Sequence, residues 1–269
     1  MVNEFEIKKE ICDIGKRIYN RGMVAANDGN ISVKLNDHEF LCTPTGVSKG
    51  FMTPEYICKV DENGQVIQAN KGFKPSSEIK MHMRVYKERP DVNAVVHAHP
   101  PTATAFTVAN VPLDKYILPE AVLVLGAVPT CDYGTPSTNE IPDSLEPYLQ
   151  NNDAFLLKNH GALTVGNTLT KAFFVMEEVE FFAKISFMAR QLGGEDEIPC
   201  DELIKLMELR KKFQIPGRHP GCKKCPNLGT ENCKCKQNAD GGASCTAKDN
   251  GQEDLVAAIT RKVLAELKK

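Results

Sequence analysis

Long apolar runs are missing from this sequence of 269 residues. No stretch approaches the roughly 18 apolar residues that a membrane-spanning helix needs. The first residues, MVNEFEIKKEICDIG, carry charges throughout and contain no apolar segment of a secretory signal. Neither sign of charge dominates: the formal net charge is -2, so we expect no general attraction to nucleic acid or to an anionic membrane. These absences predict a soluble, cytoplasmic protein.

Glycine-rich phosphate-binding motifs are missing as well. The sequence contains neither GxGxxG nor GxxxxGK followed by Ser or Thr, which argues against a parallel nucleotide-binding fold. Short strand patterns instead alternate with helix patterns, and turn signals connect neighbouring strands. These patterns predict an α/β fold in which helical layers enclose a mixed, mainly antiparallel central sheet.

Hydrophobic spacing predicts the individual elements. Isoleucines at alternating steps of four and three residues predict an amphipathic helix over residues 5–22. Further helices are predicted after residue 76 and over 102–109 and 170–192. Strands are predicted at 31–33, 39–43, 58–60, 64–68 and 94–98, within 122–129, and at 154–157 and 162–165.

Two histidines separated by one residue, His97 and His99, occur in the apolar segment VVHAHP. Because side chains alternate along a strand, both would lie on one face, about 7 Å apart. Such a pair can share one metal ion, or it can be a pair of half-buried histidines that only form hydrogen bonds. His160, in the turn LKNHG, is a third candidate ligand, and three histidines leave an open coordination position, as in catalytic zinc sites. The other histidines, His38 in a polar turn, His82 on a helix surface and His219 in the linker, are expected to face solvent.

Small polar loops offer candidate anion sites. Glu78 follows two serines, Ser76 and Ser77, at a predicted helix start, where hydroxyl groups and free backbone N–H groups favour an anion. The loops around Asn30 and around Thr45 have the same chemistry. Each loop alone is an ordinary turn or helix cap, and a phosphate pocket requires that they converge.

Five segments then occur in a fixed order: DGNIS at 28–32, TPTG at 43–46, PSSE at 75–78, HAH at 97–99 and NHG at 159–161. Together they resemble the class II aldolase/adducin family, and within it most of all the L-fuculose-1-phosphate aldolases, over about residues 5–215. The resemblance implies a three-layer α/β/α fold and a homotetramer with active sites between subunits. It also implies cleavage of L-fuculose-1-phosphate or L-rhamnulose-1-phosphate. A pentulose-5-phosphate 4-epimerase and a non-catalytic, adducin-like binding protein are the alternatives.

The same resemblance implies roles for individual residues. Glu78 would protonate the intermediate and could bind the metal before substrate arrives, and Tyr116 of a neighbouring subunit would accept a proton. A C-terminal tyrosine of the similar aldolase has no match here, since Lys212, Phe213 and Gln214 stand at that place. One Zn²⁺ per subunit would be held by His97, His99 and His160, and the substrate phosphate by Asn30, Thr45, Gly46, Ser76 and Ser77.

The composition changes after residue 216, so we expect an aldolase domain at 1–216 followed by a tail. Residues 217–251 form a cysteine-rich linker, whose thiols either bind a metal or stay free and redox-sensitive. Residues 252–269 predict an amphipathic helix that resembles the encapsulation peptides of bacterial microcompartment enzymes, with a shell or core protein as its partner. The alternative is a helix that packs on its own domain. The crowded cysteines are Cys222, Cys225, Cys233, Cys235 and Cys245.

Overall fold

The structure is a computed structural model, and it describes residues 3–221. The five crowded cysteines and the predicted C-terminal helix lie outside the described residues. None of the helices between residues 3 and 221 is both long and apolar enough to cross a membrane.

Seven α-helices, two short 3-10 helices (Lys49–Phe51 and Pro54–Tyr56) and eight strands make up this part of the chain. The helices are α1 Glu4–Asn20, α2 Ile79–Glu88, α3 Pro101–Val108, α4 Pro119–Val124, α5 Glu140–Leu149, α6 Leu169–Gln191 and α7 Cys200–Lys212. The strands are β1 Asn30–Asn36, β2 Glu39–Cys42, β3 Cys58–Val60, β4 Val66–Gln68, β5 Ala94–Ala98, β6 Thr130–Cys131, β7 Ala154–Leu157 and β8 Gly161–Gly166.

All eight strands belong to one sheet, in the order β4-β3-β2-β1-β5-β8-β7-β6. Every neighbouring pair is antiparallel except β6 and β7, which are parallel. The predicted mixed, mainly antiparallel sheet is therefore confirmed. Strand β5 lies in the middle of the sheet, between β1 and β8, where backbone movement is most restricted.

The sheet separates two apolar cores. Alternate residues of β5, such as Val96, face a core that includes Ile14 of α1 and Phe173 of α6. Val95 faces the opposite core, with Met81 of α2 and Leu145 of α5. The helices therefore cover both faces, and the α/β prediction holds for the layers as well as for the sheet.

The predicted strand within 122–129 is wrong. Residues 119–124 form α4, Val128 forms only an isolated bridge with Leu113, and strand β6 begins at Thr130, after the predicted segment. An apolar run of this length does not distinguish a strand from a buried helix segment. Pro119 favours the helix, because its fixed φ suits the first helical position and because the N–H that proline lacks would have no helical partner there.

Candidate metal centre and active site

His97 and His99 are placed by the end of β5. His97 lies within the strand and is 1% exposed, and His99 follows directly after Ala98, the last strand residue. The backbone N–H of His99 donates to the Met23 carbonyl oxygen at 2.8 Å, which fixes the chain as it leaves the sheet. The Nε2 atoms of the two histidines lie 3.2 Å apart.

His160 reaches the same place from the turn that connects β7 and β8. This turn needs Asn159 at a φ of 55°, a left-handed conformation that asparagine tolerates better than most residues. It also needs Gly161, since a Cβ there would lie 2.5 Å from the Ala98 carbonyl oxygen. The three histidines offer ligand atoms that all lie within 4.8 Å of one another. They form a cluster that could hold a metal ion.

The hydrogen bond of His97 leaves its Nε2 atom without a proton, and the Asp28 carboxylate favours the same tautomer of His99. Nδ1 of His97 donates to the Ala162 carbonyl oxygen at 2.9 Å, and Nδ1 of His99 lies 3.4 Å from Asp28 Oδ2. Two acceptor atoms then face each other at 3.2 Å, an arrangement that a shared cation stabilises. In a tetrahedral zinc site with bonds of about 2.0–2.1 Å, ligand nitrogens lie about 3.3 Å apart. The observed separation fits a metal ion.

Burial favours the neutral form of two of the three imidazoles, His97 and His160. It lowers the pKa of His97 well below its ordinary value, and the nearby rings of His160 and His99 lower it further. Burial also lowers the pKa of His160, although the Glu78 carboxylate opposes this shift. Neutral imidazole is the form that binds a metal, so His97 and His160 can bind an ion without first losing a proton.

Glu78 completes the cluster. Its Oε2 lies 3.4 Å from Nε2 of His97, and its Oε1 lies 3.4 Å from Nε2 of His160. Oε2 accepts a hydrogen bond of 2.8 Å from Asn30 Nδ2, whereas Oε1 is buried and accepts none from the described residues. A buried carboxylate oxygen without a hydrogen bond is costly unless a cation or a proton is nearby. This oxygen therefore fits the same ion as the histidines do.

The predicted phosphate loops converge on this cluster. Thr43–Gly46 and the segment before α2 are joined by two backbone hydrogen bonds, from Thr45 N to Lys74 O at 2.9 Å and from Ser76 N to Thr43 O at 3.1 Å. A cavity of about 200 Å³ lies between the loops and the histidines. Its walls include four of the five residues predicted to bind phosphate, Asn30, Thr45, Ser76 and Ser77, and Gly46 adjoins Thr45.

Tyr116 lies elsewhere in the same subunit. It is 2% exposed and packs in an apolar cluster with Val122 of α4 and Leu203 of α7. Its hydroxyl donates to the Gly221 carbonyl oxygen at 3.2 Å. Tyr116 does not line the cavity of its own subunit.

Two of the three histidines that we expected to face solvent do not. His82 is 1% exposed and forms hydrogen bonds with Asn30 and Ser32. Its place in α2 could have been predicted, because it lies three residues after Ile79 and four before Tyr86, on the apolar face. His219 is half-buried, and its Nε2 donates to the Val122 carbonyl oxygen at 2.7 Å. Only the prediction for His38 is confirmed, since its side chain is 81% exposed.

Two other residues of the site were missed by sequence reasoning. Lys49 is 2% exposed, and its Nζ donates to the carbonyl oxygens of Asn27 at 2.9 Å and Val47 at 2.8 Å. It thereby ties the loop before Asn30 to the loop that holds Thr45. Pro136, from the segment between β6 and α5, contributes to the cavity wall. A lysine in a glycine-containing turn gives no sequence signal of such burial.

The comparisons with known proteins agree with this geometry. The family model described as Class II Aldolase and Adducin N-terminal domain matches residues 9–187. L-fuculose phosphate aldolase from Methanococcus vannielii is 39% identical over 178 residues, which is 66% of this chain and 94% of that protein. A solved structure of an L-fuculose 1-phosphate aldolase is similar with a TM-score of 0.71 and 29% identity, covering 78% of this chain and 97% of that one.

A second activity occurs among the similar proteins. The 3-oxo-tetronate 4-phosphate decarboxylase of Escherichia coli O6:H1 is 34% identical over 190 residues, 69% of this chain and 88% of that protein. The family match nevertheless includes all three histidines, Glu78 and the loops that converge on them. The predicted enzyme of the lyase type is confirmed, and the chain belongs to the class II aldolase and adducin family.

Proposed function

We propose that this chain is a zinc-dependent class II aldolase that splits L-fuculose-1-phosphate into dihydroxyacetone phosphate and L-lactaldehyde. L-rhamnulose-1-phosphate is the proposed second substrate. The observation that carries the proposal is the position of Glu78, whose carboxylate lies 3.4 Å from ring nitrogens of both His97 and His160. One group that can transfer a proton thus lies beside a group that can bind a metal, as cleavage next to a carbonyl requires.

Zinc is the proposed ion because imidazole and carboxylate are ligands that it binds with four-coordinate geometry. His97, His99 and His160 would hold it, with Glu78 as a further ligand in the substrate-free state. A divalent ion bound there supplies Lewis-acid stabilisation of the negative charge that develops next to the carbonyl. No lysine Schiff base is needed for this reaction.

The phosphate is proposed to bind where the small polar loops converge. Ser76 and Ser77 precede α2, so their hydroxyl groups lie near the positive end of the helix dipole, which favours an anion. Thr45 contributes a hydroxyl, and Gly46, at a φ of 72°, gives the loop a turn that few other residues accept. Asn30 closes the cavity on the side of Glu78.

The proposed proton transfers involve Glu78 and Tyr116. Tyr116 of a neighbouring subunit accepts the C4-hydroxyl proton while the C3–C4 bond breaks, and the electron pair of that bond stays on the fragment that carries the phosphate. Glu78 then delivers a proton to C3 of the resulting enediolate. Its Oε1, which has no hydrogen bond among the described residues, is the oxygen placed to carry that proton.

A homotetramer is part of this proposal, because Tyr116 does not line the cavity of its own subunit, so a role for it in proton transfer requires a neighbouring subunit and release of its hydroxyl from the Gly221 carbonyl oxygen. Phe174 and Phe181 of α6, two helical turns apart, are 52% and 55% exposed, and exposed aromatic side chains of this kind favour contacts between proteins. Sedimentation velocity of the full chain tests the assembly. In a tetramer, Tyr116→Phe should lower kcat without changing the sedimentation coefficient.

The tail beyond Gly221 is proposed to direct the enzyme into a bacterial microcompartment, where lactaldehyde would be confined. This proposal rests on the apolar stripe and terminal charges of residues 252–269 in the sequence. Fusing those residues to a fluorescent protein and co-expressing the fusion with shell proteins provides the test. A fusion that stays diffuse would contradict the docking role.

The cysteine-rich linker needs a separate test. Metal analysis of the full chain with and without Cys222→Ser would show whether these cysteines bind a metal.

The aldolase proposal is tested with purified full-length protein and three sugar phosphates, with and without a chelator. Chelator-sensitive release of dihydroxyacetone phosphate from L-fuculose-1-phosphate or L-rhamnulose-1-phosphate supports it and ranks the two substrates. Conversion of L-ribulose-5-phosphate to xylulose-5-phosphate, without triose phosphate from either other sugar, would make the enzyme an epimerase. The absence of all products would leave the adducin-like binding role or a reaction on another phosphorylated substrate.

A decarboxylase is the second candidate, favoured by the 34% identity to the Escherichia coli O6:H1 enzyme. It would use the same metal-binding residues, since loss of carbon dioxide next to a carbonyl also leaves negative charge on carbon. A 3-oxo-tetronate 4-phosphate, added under the same conditions, separates the two reactions. Carbon dioxide release that exceeds sugar cleavage would favour this candidate.

A further inference from the structure

Five side chains form a continuous line of hydrogen bonds that leads from the cavity into the protein interior. Glu78 Oε2 is 2.8 Å from Asn30 Nδ2, and Asn30 Oδ1 is 2.5 Å from His82 Nε2. His82 Nδ1 is 2.7 Å from Ser32 Oγ, which is 2.7 Å from the Tyr86 hydroxyl. We call these five residues the Glu78 relay.

Two elements with matched spacing build the relay. Asn30 and Ser32 are two residues apart on β1, so their side chains lie on one face of the strand. Glu78, His82 and Tyr86 are four residues apart along α2 and its N-terminal boundary, so they lie on one face of the helix. The strand side chains alternate with the helix side chains, and each gap is closed by one hydrogen bond.

The donors and acceptors in the relay follow from its first member. An ionised Glu78 only accepts hydrogen bonds, so the Asn30 amide must direct its Nδ2 towards Glu78 and its Oδ1 towards His82. His82 must then donate from Nε2, and its Nδ1 must accept from Ser32 Oγ. The Ser32 hydroxyl oxygen in turn accepts from Tyr86. Burial lowers the pKa of His82 to about 3, in agreement with one proton on the ring.

Without His82, the Asn30 amide could rotate. The rotated amide would direct Oδ1 at Glu78, which suits only the protonated carboxyl group. It would also release Oε2, so that either oxygen of Glu78 could turn towards the histidines. With His82 in place, Oε2 is held by Asn30, and Oε1 is the oxygen left for proton transfer.

We propose that His82 is a positioning residue for proton transfer, because its Nε2–H fixes the Asn30 amide that holds Glu78 by Oε2. This inference rests on the proposed role of Glu78 as the group that exchanges a proton with the substrate carbon. His82 touches neither substrate nor metal ligands in this arrangement, and it acts through Asn30.

Two substitutions of His82 form a matched pair. In His82→Gln, the side-chain NH₂ takes approximately the place of Nε2 and can still donate to Asn30. In His82→Asn, the shorter side chain places its amide near the former Nδ1, so it keeps a partner for Ser32 but cannot reach Asn30. Both variants replace a ring by an amide and leave space in the interior, so both should lose stability to a similar extent.

The readout is hydrogen–deuterium exchange at the hydroxymethyl carbon of dihydroxyacetone phosphate in D₂O, followed by proton NMR. This exchange requires the proton transfer by Glu78, but it requires neither the aldehyde nor Tyr116. We expect His82→Asn to lower the exchange rate and the kcat of cleavage about 10- to 100-fold, the size typical of lost positioning contacts. KM and metal content should stay within about threefold of wild type, and His82→Gln should restore most of the rate.

Equal rate losses in the two variants at equal thermal midpoints would overturn the proposal, because a merely structural role does not distinguish Gln from Asn. Wild-type rates in both variants would overturn it as well. If wild-type protein itself showed neither exchange nor cleavage, the proposed function would fail instead. Crystal structures of the two variants would then decide the positioning role: the contact between Asn30 Nδ2 and Glu78 Oε2 should be lost in His82→Asn alone, and its persistence in both would refute it.

Discussion

Glu78 and His160 face each other across the candidate metal centre, with Oε1 of the carboxylate 3.4 Å from Nε2 of the imidazole. Neither the oxygen nor the other ring nitrogen of His160 has a hydrogen-bond partner among the described residues. The two residues come from opposite sides of the cavity, one from the start of α2 and one from the turn between β7 and β8. In the proposed function the two tasks of the site are divided within this pair: Glu78 would move the proton, and His160 would help to hold the ion.

Replacing Glu78 with Gln should therefore stop turnover while the metal stays bound. The amide keeps the shape of the side chain but cannot deliver a proton, so we expect kcat to fall at least about 100-fold. Steady-state kinetics and metal analysis of the same preparation provide the measurement. Near-normal turnover of this variant would remove the proposed role of Glu78.

Replacing His160 with Ala should lower metal content together with activity. Loss of a direct ligand should weaken metal binding by more than about 100-fold, since even indirect contacts change affinity 10- to 100-fold. His38→Ala is the matched control, because it removes the same side chain from a position that is 81% exposed. Equal metal content in the two variants would show that the histidine cluster is not the metal site.

Replacing Asp28 with Asn should have a smaller effect on the metal. Asp28 Oδ2 lies 3.4 Å from His99 Nδ1, on the side of the ring opposite to the cluster, where a carboxylate raises the basicity of the ligating nitrogen. We expect the metal affinity to fall about 10-fold, measured by competition with a chromogenic chelator. Asp37→Asn, at an aspartate whose side chain is 84% exposed, is the control, and an equal effect of both changes would contradict this role.

Lys49 should make stability depend on pH in the alkaline range. Burial lowers its pKa to about 8, whereas the unfolded chain keeps a value near 10.4. Between these values the unfolded chain binds the extra proton, so the free energy of unfolding gains about 3 kcal/mol from this group as the pH rises. Urea unfolding of wild type and Lys49→Met from pH 7.5 to 10 should show this rise in wild type only.

Buried cysteines act in the opposite direction in that experiment, since burial raises the pKa of Cys131 to about 12. A thiol whose pKa is raised in the folded protein lowers the free energy of unfolding as the pH rises above the pKa of that thiol in the unfolded chain. Because both proteins contain the same cysteines, this contribution cancels in the difference between them. Identical pH dependence of the two proteins would mean that Lys49 is not buried as an ammonium group.

The histidine cluster was predictable in part because some of its signals are local. Strand alternation placed His97 and His99 on one face, whereas His160 was only a candidate from its turn, and its place beside them followed from the family resemblance. The helix α5 was not predicted, because Pro142 and Pro147 interrupt a pattern that tertiary packing of Ile141 and Leu145 nevertheless stabilises.

His82 was misplaced for a different reason. Its residue type favoured the surface, whereas its spacing within α2 favoured the interior, and the two bonds to Asn30 and Ser32 offset the cost of burying it. Those partners lie 52 and 50 residues away in sequence, so only the pairing of β1 with the rest of the sheet brings them together. The convergence of the phosphate loops depends on the same long-range contacts.

The central position of β5 has a consequence for how such an enzyme can diversify. Asn30 of β1 pairs in register with His97 of β5, so a candidate metal ligand and the residue that holds Glu78 share one part of the sheet. Thr45, Ser77 and Pro136 line the cavity from loops that carry no part of that frame. Substitutions in these loops can change which phosphorylated compound fits the cavity without moving the reacting groups. Related enzymes with this fold can therefore catalyse either aldol cleavage or decarboxylation.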